Sequence, residues 1–207
     1  MKNYCIENAI QTLINGGIIS FPTDTVYGIG VDAYNQKAID KIYKLKKRNK
    51  LKPLILFIKG KSELNKYVEI PEIGIKLIDK FWPGKLTIVF KSTPNSPIKS
   101  SNITTGIRIP NCEPILTILR NFANPLATTS ANVEGTSTPI THLEMNIKPD
   151  FIIPGKSGAN TSSTIIDIST EIPKLLREGD IKINELEKVI GKNIIKAGYL
   201  DLQKSNK

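Results

Sequence analysis

The feature that most constrains the fold is the stretch of residues 18–58, where two short apolar runs enclose a polar turn, a helical segment and a basic loop. The apolar runs, residues 18–21 and 54–58, have the length and composition of buried strands. Between them, residues 23–30 are rich in hydroxyls and glycines, and residues 44–53 are rich in lysine. Hydroxyls donate hydrogen bonds, glycines allow close backbone approach and cations supply charge. The stretch therefore predicts a site for an anionic ligand with polar groups, phosphate being the first candidate.

The rest of the chain alternates helical and strand-like segments. Apolar periodicity predicts helices over residues 5–15, 35–47, 62–68, 71–82, 114–122 and 183–190. Short apolar runs predict strands over residues 18–21, 54–58, 86–90, 106–110, 126–129, 150–153 and 164–168, and a last strand ending within 175–179. The alternation is irregular, and neither a repeat nor a linker divides the chain. We therefore expect an α/β fold, a single domain on a twisted, mixed sheet with flanking helices.

The charge of the chain points toward anionic partners. The formal net charge is +10 and the pI is about 9.5, which suit a nucleotide or RNA. Because A/T-rich coding would also favour the abundant Lys, Ile and Asn, the bulk charge alone decides nothing. Four of the 29 basic residues are arginine: Arg48, Arg108, Arg120 and Arg177. Arginine in a lysine-rich chain suggests a need for the forked guanidinium, except at Arg120, which we expect on a helix surface.

Several classes of site are disfavoured. Cys5 and Cys112 form no metal-binding or CxxC spacing, and His142 is the sole histidine, expected near a helix start on the surface. This pattern argues against structural zinc and a disulfide framework. No signal peptide is recognisable, and no apolar run approaches the roughly 20 residues of a membrane span. We therefore expect a cytoplasmic protein without membrane contact.

The polar loops carry the chemistry. The Walker A and dinucleotide fingerprints are both absent from the sequence. What remains is a set of small polar loops near strand ends: residues 23–30, 46–52, 104–108, 128–132 and 162–164, and Arg177. These loops can bind and orient, which fits phosphate chemistry driven by positioning and charge neutralisation. Asp24 and Asp167 could ligate a metal or take a proton, or simply stabilise turns. The basic run 44–48 equally fits a solvated helix end that complements the helix dipole.

The motifs, taken in order, resemble the YrdC-type threonylcarbamoyl-AMP synthase family. They are F-P-T-D-T-V-Y-G at 21–28, K-K-R at 46–48, W-P-G at 82–84, G-I-R-I-P at 106–110, S-A-N at 130–132, S-T-I-I-D at 163–167 and L-R-E-G at 176–179. The resemblance covers residues from about 10 to 190 and leaves 191–207 as a tail. It implies the short, single-domain form of the family.

The resemblance implies a nucleotidyltransferase. L-threonine, bicarbonate (or carbon dioxide) and ATP would give threonylcarbamoyl-AMP and pyrophosphate, on a concave basic face of the sheet. A separate transferase would then modify the adenosine beside the tRNA anticodon. Mg²⁺ would enter with ATP, with no metal bound by the protein itself. Direct tRNA binding would be weak and salt-sensitive.

The resemblance also implies roles for individual residues. Lys46 and Arg48 would be catalytic, with Arg108 clamping the carboxylate of threonine. The remaining threonine-binding residues would be Thr25, Thr128 and Ser163. The nucleotide-binding residues would be Arg48, Lys52, Thr104, Ser130, Asn132, Thr138 and Arg177. Some relatives carry Asn at position 52 and His at position 57, where this chain has Lys52 and Phe57. We therefore leave Phe57 out of the site.

Three alternatives stay open from the residues. Arg108 could form a buried ion pair with an acidic residue of the chain, because a lone guanidinium between two isoleucines is costly to bury. The chain could be a non-catalytic RNA-binding module, although its aromatic content of 6% provides few side chains on which RNA bases could stack. It could also be a relative that makes a carbamoyl-adenylate from carbamoyl phosphate. The zinc-finger and acylphosphatase segments that usually accompany that domain are missing.

Overall fold

The computed structural model describes residues 2–98, 100 and 103–197. These residues form six α-helices and ten strands, all the strands lying in one sheet. The helices are α1 (Lys2–Ile14), α2 (Gln36–Lys46), α3 (Leu64–Tyr67), α4 (Glu72–Phe81), α5 (Glu113–Phe122) and α6 (Ile183–Ile190). The strands are β1 (Ile19–Phe21), β2 (Gly28–Asp32), β3 (Ile55–Phe57), β4 (Leu86–Lys91), β5 (Thr104–Arg108), β6 (Leu126–Ser130), β7 (Phe151–Ile152), β8 (Thr164–Asp167), β9 (Lys174–Arg177) and β10 (Ile195–Lys196).

The sheet is mixed, with strand order β10-β9-β8-β4-β5-β3-β6-β2-β1-β7. Its centre is antiparallel from β1 through β2 and β6 to β3, whereas β3 pairs with β5, and β4 with β8, in parallel. The predicted fold class, an α/β domain on a mixed sheet, is therefore confirmed.

The two faces of the sheet differ in how completely they are covered, because successive side chains of a strand point to opposite sides. On one face Leu56, Phe90 and Ile107 are fully buried. Helix α4 packs directly on this face, since a Cβ added at Gly74 would lie 3.1 Å from the Phe90 ring. The other face, called here the open face, contains half-buried and exposed side chains among buried ones. It carries Ile55, Thr104, Arg108, Thr128, Ser130, Ile165 and Arg177.

Strand β2 is the main error of the sequence prediction, which placed Gly28 and Gly30 in a polar loop. Both glycines lie in β2, between strands β6 and β1 of the sheet, and the ring of Phe21 on β1 covers them. An added Cβ would lie 2.9 Å from the Phe21 ring at Gly28 and 3.2 Å from it at Gly30. The glycines therefore make room for an aromatic side chain, not for a ligand. Because glycine is depleted in strands, the local sequence gave no strand signal here.

The structure also shows the positions of the single histidine, the two cysteines and Arg120, for which predictions were made from the sequence. His142 begins a short 3-10 turn, His142–Glu144, and is half-buried. Cys5 and Cys112 are both free thiols. Arg120 lies on the surface of α5, paired with Glu113 at 2.6 Å, as expected.

Two other features concern the chain termini and the helices. The predicted tail, residues 191–207, lies outside the described residues from 198 onward; before that point it contains β10, which was not predicted. No helix of the described part of the chain is long and apolar enough to cross a membrane.

Candidate functional site

Arg108, the last residue of β5, is a deeply buried cation of the predicted site, with 4% of its surface exposed. Its Nη2 donates to Asp24 Oδ1 at 2.6 Å, and its Nε donates to the carbonyl of Gly84 at 2.9 Å. The guanidinium carbon lies 5.6 Å from the centre of the Phe57 ring. Burial lowers the pKa of Arg108, and the charge of Asp24 opposes that shift. The buried ion pair, which the sequence had left open as an alternative, is therefore present.

Thr25 holds the guanidinium on the side of the β1–β2 turn. Its Oγ1 accepts from Arg108 Nη1 at 2.8 Å and lies 3.0 Å from Thr23 Oγ1. The Thr23 hydroxyl donates to the carbonyl of Val26 at 2.7 Å, so its only proton is already used. The Thr25 hydroxyl must therefore donate to Thr23 and present its lone pairs to Arg108. The turn is folded by its own hydroxyls, and Thr25 contacts the same guanidinium that was predicted to bind threonine.

Lys46 ends α2 and is buried, with 1% of its surface exposed. The interpretation of the basic run as a solvated helix end is therefore wrong for this residue. The ammonium donates to the carbonyls of Ser130 and Asn132, both at 2.5 Å, and to Asn132 Oδ1 at 3.3 Å. Burial, and then the charge of Arg48, lowers the pKa of Lys46 to about 8. All three donors of the ammonium thus support the backbone and side chain of the loop that follows β6.

The same loop is held by its own side chains. Ser130 Oγ donates to Asn132 Oδ1 at 2.6 Å, and Asn132 Nδ2 donates to the carbonyls of Val133 and Thr136 at 3.1 and 2.7 Å. Ser130 and Asn132 form one hydrogen-bonded network with Lys46, which lies 84 positions before Ser130 in the sequence. The structure therefore brings these predicted residues together as mutual supports.

Arg48 and Lys52 lie in the loop after α2. The half-buried Arg48 donates through Nε to the carbonyl of Lys52 at 3.1 Å and through Nη2 to that of Pro53 at 3.3 Å. Lys52 is exposed, and its ammonium lies 2.5 Å from Glu134 Oε1. The hydrogen bond from Lys52 lowers the pKa of Glu134. A phosphate group that binds Lys52 must therefore displace Glu134 or join it.

Glu134 was missed by the sequence analysis. Its Oε2 accepts from the backbone N–H of Asn49 at 3.1 Å, and its Oε1 contacts the Lys52 ammonium. The Glu134 carboxylate therefore uses two donors that a bound phosphate would also need. An acidic residue in a polar loop carries no local signal of such a partner. The contact with Lys52 joins residues 82 positions apart and depends on the fold.

Arg177, at the end of β9, is bound to Ser163. Its Nε donates to the Ser163 carbonyl at 2.9 Å and its Nη2 to Ser163 Oγ at 3.1 Å. Ser163 Oγ also lies 2.8 Å from Thr87 Oγ1, a residue that was not predicted. Although the Arg177 side chain is exposed, partial loss of hydration lowers its pKa to about 10, and the charges of Arg108 and Arg48 add to that effect. The charges of Arg108 and Arg48 therefore both act on Arg177, which favours an anion beside it.

The other predicted residues are more dispersed. Thr128 is buried in β6 and donates to the carbonyl of Ile55 at 2.9 Å. Thr104 begins β5 and contacts Ser100 Oγ at 2.6 Å, while Arg108 ends the same strand, about 13 Å further along at the usual rise per residue. Thr138 is half-buried in the loop that follows β6. The structure does not bring Thr104 close to Arg108.

The two candidate aspartates have ordinary partners. Asp167 Oδ1 accepts from the backbone N–H of Ser169 at 2.9 Å, so Asp167 stabilises a turn, as one of its two interpretations held. Asp24 is the partner of Arg108. Among the described residues no three His, Cys, Asp or Glu side chains group into a metal site.

Comparison with known proteins gives consistent matches. The Sua5/YciO/YrdC family model, described as "Telomere recombination", matches residues 11–179. The putative threonylcarbamoyl-AMP synthase of Methanocaldococcus jannaschii is 40% identical over 87% of this chain and 88% of its own length. The threonylcarbamoyl-AMP synthase of Bacillus subtilis is 33% identical over 95% of this chain and 59% of its own.

A solved structure shows the same fold. Pyrococcus abyssi Sua5, crystallised with L-threonine, superimposes with a TM-score of 0.85 at 33% identity, over 91% of this chain and 58% of its own. The chain thus spans most of the Methanocaldococcus relative but about three fifths of the Bacillus and Pyrococcus relatives.

Proposed function

The chain belongs to the Sua5/YciO/YrdC family, and we propose that it is an L-threonylcarbamoyl-adenylate synthase, which joins L-threonine, bicarbonate or carbon dioxide, and ATP. The observation that carries the proposal is the pair of arginines on the open face, Arg108 and Arg177, with Arg48 near enough that its charge also acts on Arg177. This set suits two anions at once, an amino-acid carboxylate and a triphosphate. Relatives named threonylcarbamoyl-AMP synthase and a Sua5 structure holding L-threonine support the proposal.

The proposed reaction has two steps. The amine of threonine bonds to the carbon of bicarbonate, and water leaves, giving a carbamate. A carbamate oxygen then bonds to the α-phosphorus of ATP, and pyrophosphate leaves with the electron pair of the broken P–O bond. In this reaction Arg108 binds the threonine carboxylate, while Arg48, Lys52 and Arg177 bind phosphates. Charge neutralisation and positioning supply the rate enhancement.

Supporting residues hold these groups in place. Lys46, Ser130 and Asn132 fix the loop after β6 against α2. Ser163 holds Arg177, and Thr25 holds Arg108. We propose that Thr104, Thr128 and Thr138 contribute at the edges of the two substrates.

We propose that Mg²⁺ enters with ATP. Magnesium in ATP-using sites is bound mainly through phosphate oxygens and water, with one or two carboxylates. We propose that Glu134, whose carboxylate contacts Lys52, is the carboxylate that joins such a complex. The metal would neutralise charge on the departing pyrophosphate.

The product carries an activated carbamoyl group, so the proposal includes a second enzyme that uses this product. A separate transferase would pass the threonylcarbamoyl group to the adenosine beside the tRNA anticodon, in the cytoplasm. The net charge of +10 permits weak, salt-sensitive tRNA binding by the synthase itself.

The proposed function predicts that pyrophosphate forms from ATP only when threonine and bicarbonate are both present. Serine, which lacks one methyl group, should react about 10- to 200-fold less efficiently, because one methyl in a pocket is worth ~1–3 kcal/mol. Pyrophosphate release measured with each component omitted in turn checks this. Equal release without any amino acid would contradict the function.

A further inference from the structure

The buried ion pair has one carboxylate oxygen left over. Asp24 Oδ1 accepts from Arg108, but Asp24 Oδ2 is buried and has no hydrogen-bond partner among the described residues. Buried carboxylate oxygens in folded proteins are nearly always hydrogen-bonded, and leaving one unpaired is costly. An unpaired acceptor at this position therefore points to a donor that arrives with a ligand.

The surroundings leave few donors that could fill this role. The Thr25 hydroxyl is committed to Thr23, and three guanidinium N–H groups of Arg108 are committed to Gly84, Thr25 and Asp24 Oδ1. Backbone of the following segment covers the turn, because Gly158 N donates to the Thr23 carbonyl at 2.8 Å. A Cβ added at Gly158 would lie 3.1 Å from the carbonyl oxygen of Asp24, so this segment packs tightly against the turn.

The carboxylate can nevertheless present its second oxygen. The Asp24 side chain is 11% exposed, compared with 4% for Arg108. Because Oδ2 itself is buried, the exposed part lies elsewhere on the side chain. The Cβ–Cγ torsion is soft, so a partial turn of the carboxylate is enough to bring Oδ2 toward the surface of the site.

Arg108 and Asp24 together place a cation and an anion one contact apart. An amino acid carries the opposite arrangement, with a carboxylate and an ammonium on the same carbon. We propose that Asp24 binds the α-amino group of the amino-acid substrate while Arg108 binds its α-carboxylate. This inference rests on the proposed function and deepens it, because it assigns a residue to the nitrogen that takes up the new carbon. A carboxylate accepting a hydrogen bond from that nitrogen also fixes where its lone pair points.

The first test uses the wild-type protein and two ligands. L-threonine and (R)-3-hydroxybutanoate differ only in the α-amino group, and their affinities can be measured by calorimetry with a non-hydrolysable ATP analogue present. A charge-assisted hydrogen bond to the amino group should make threonine bind about 10- to 150-fold more tightly. Equal affinities would overturn the inference and leave the function intact. Failure to bind threonine at all would overturn both.

The second test uses Asp24→Asn, which keeps an oxygen for Arg108 and removes the charge. The variant should bind threonine about 10- to 150-fold more weakly and 3-hydroxybutanoate about as well as the wild type does. Equal weakening of both ligands would mean that Asp24 only positions Arg108, and unchanged threonine affinity would mean that it has no role; either result overturns the inference. Asp79→Asn, which breaks a surface pair with Lys61, is the matched control and should change neither affinity. If Asp24→Asn does not fold, equal affinities of the wild type for the two ligands would still overturn the inference.

Discussion

Replacing Arg108 with methionine is expected to destabilise the protein by about 3–5 kcal/mol and to abolish threonine binding. The guanidinium is buried and is the ion-pair partner of Asp24, which would remain as an unpaired charge with 11% of its side chain exposed. The carbonyl of Gly84 and the hydroxyl of Thr25 would each lose a donor as well. Chemical denaturation and calorimetry with threonine measure the two effects.

The lysine variant separates the structural role of Arg108 from the proposed binding role. Arg108→Lys keeps the charge near Asp24 but cannot form two parallel bonds to a carboxylate. Threonine should therefore bind about 10- to 150-fold more weakly, while ATP affinity should stay within a few-fold because the proposed triphosphate site lies on other loops. A parallel loss of threonine affinity, ATP affinity and melting temperature would mean that the ion pair is only structural. Arg120→Lys, on the surface of α5, is the control and should change stability by less than about 0.5 kcal/mol.

Replacing Lys46 with methionine is expected to cost stability and ATP binding together. The ammonium is the donor for two carbonyls and one side-chain oxygen of the Ser130–Asn132 loop. Each buried acceptor left unpaired costs about 1–3 kcal/mol, and the loop would no longer be fixed against α2. ATP titration and denaturation measure both effects. Loss of ATP binding at unchanged stability would instead mean that Lys46 contacts the nucleotide directly. Lys44→Met, exposed on the same helix, is the matched control.

The pH dependence of the free energy of unfolding tests the protonation state of Lys46. Its pKa is lowered from 10.5 to about 8 in the folded protein. Between these values the unfolded chain keeps a proton that the folded chain has released, so the contribution of Lys46 to the free energy of unfolding rises with pH. The difference in free energy of unfolding between wild type and Lys46→Met should therefore widen from pH 8 to pH 10.5. A constant difference would show that the folded protein retains the proton.

The sequence predicted the parts of this molecule that depend on local pattern. Apolar periodicity located the helices, and short apolar runs located most strands, because burial imposes those periods on the residues themselves. The scarcity of arginine in a lysine-rich chain also pointed to Arg108 and Arg177, because it suggests that those positions need a forked guanidinium. A guanidinium in a strand of aliphatic residues requires a partner, and the partner is present.

Contacts between distant segments could not be predicted. The two glycines of β2 were predicted to lie in a polar loop, because the contact that requires glycine there, with the ring of Phe21, comes from the neighbouring strand. The burial of Lys46 was not predicted, and one interpretation placed it at a solvated helix end, because only the fold places three acceptors around it. Glu134 carried no signal, since its partner Lys52 is brought to it by the packing of two loops.

The most direct test of the proposed function follows the carbon of bicarbonate. The protein is incubated with ATP, Mg²⁺, L-threonine and isotopically labelled bicarbonate, and the nucleotide products are identified by mass spectrometry. The proposed function predicts an adenylate that contains both threonine and the labelled carbon, formed together with pyrophosphate. An unlabelled threonyl-adenylate, or AMP and pyrophosphate without incorporation of label, would contradict it.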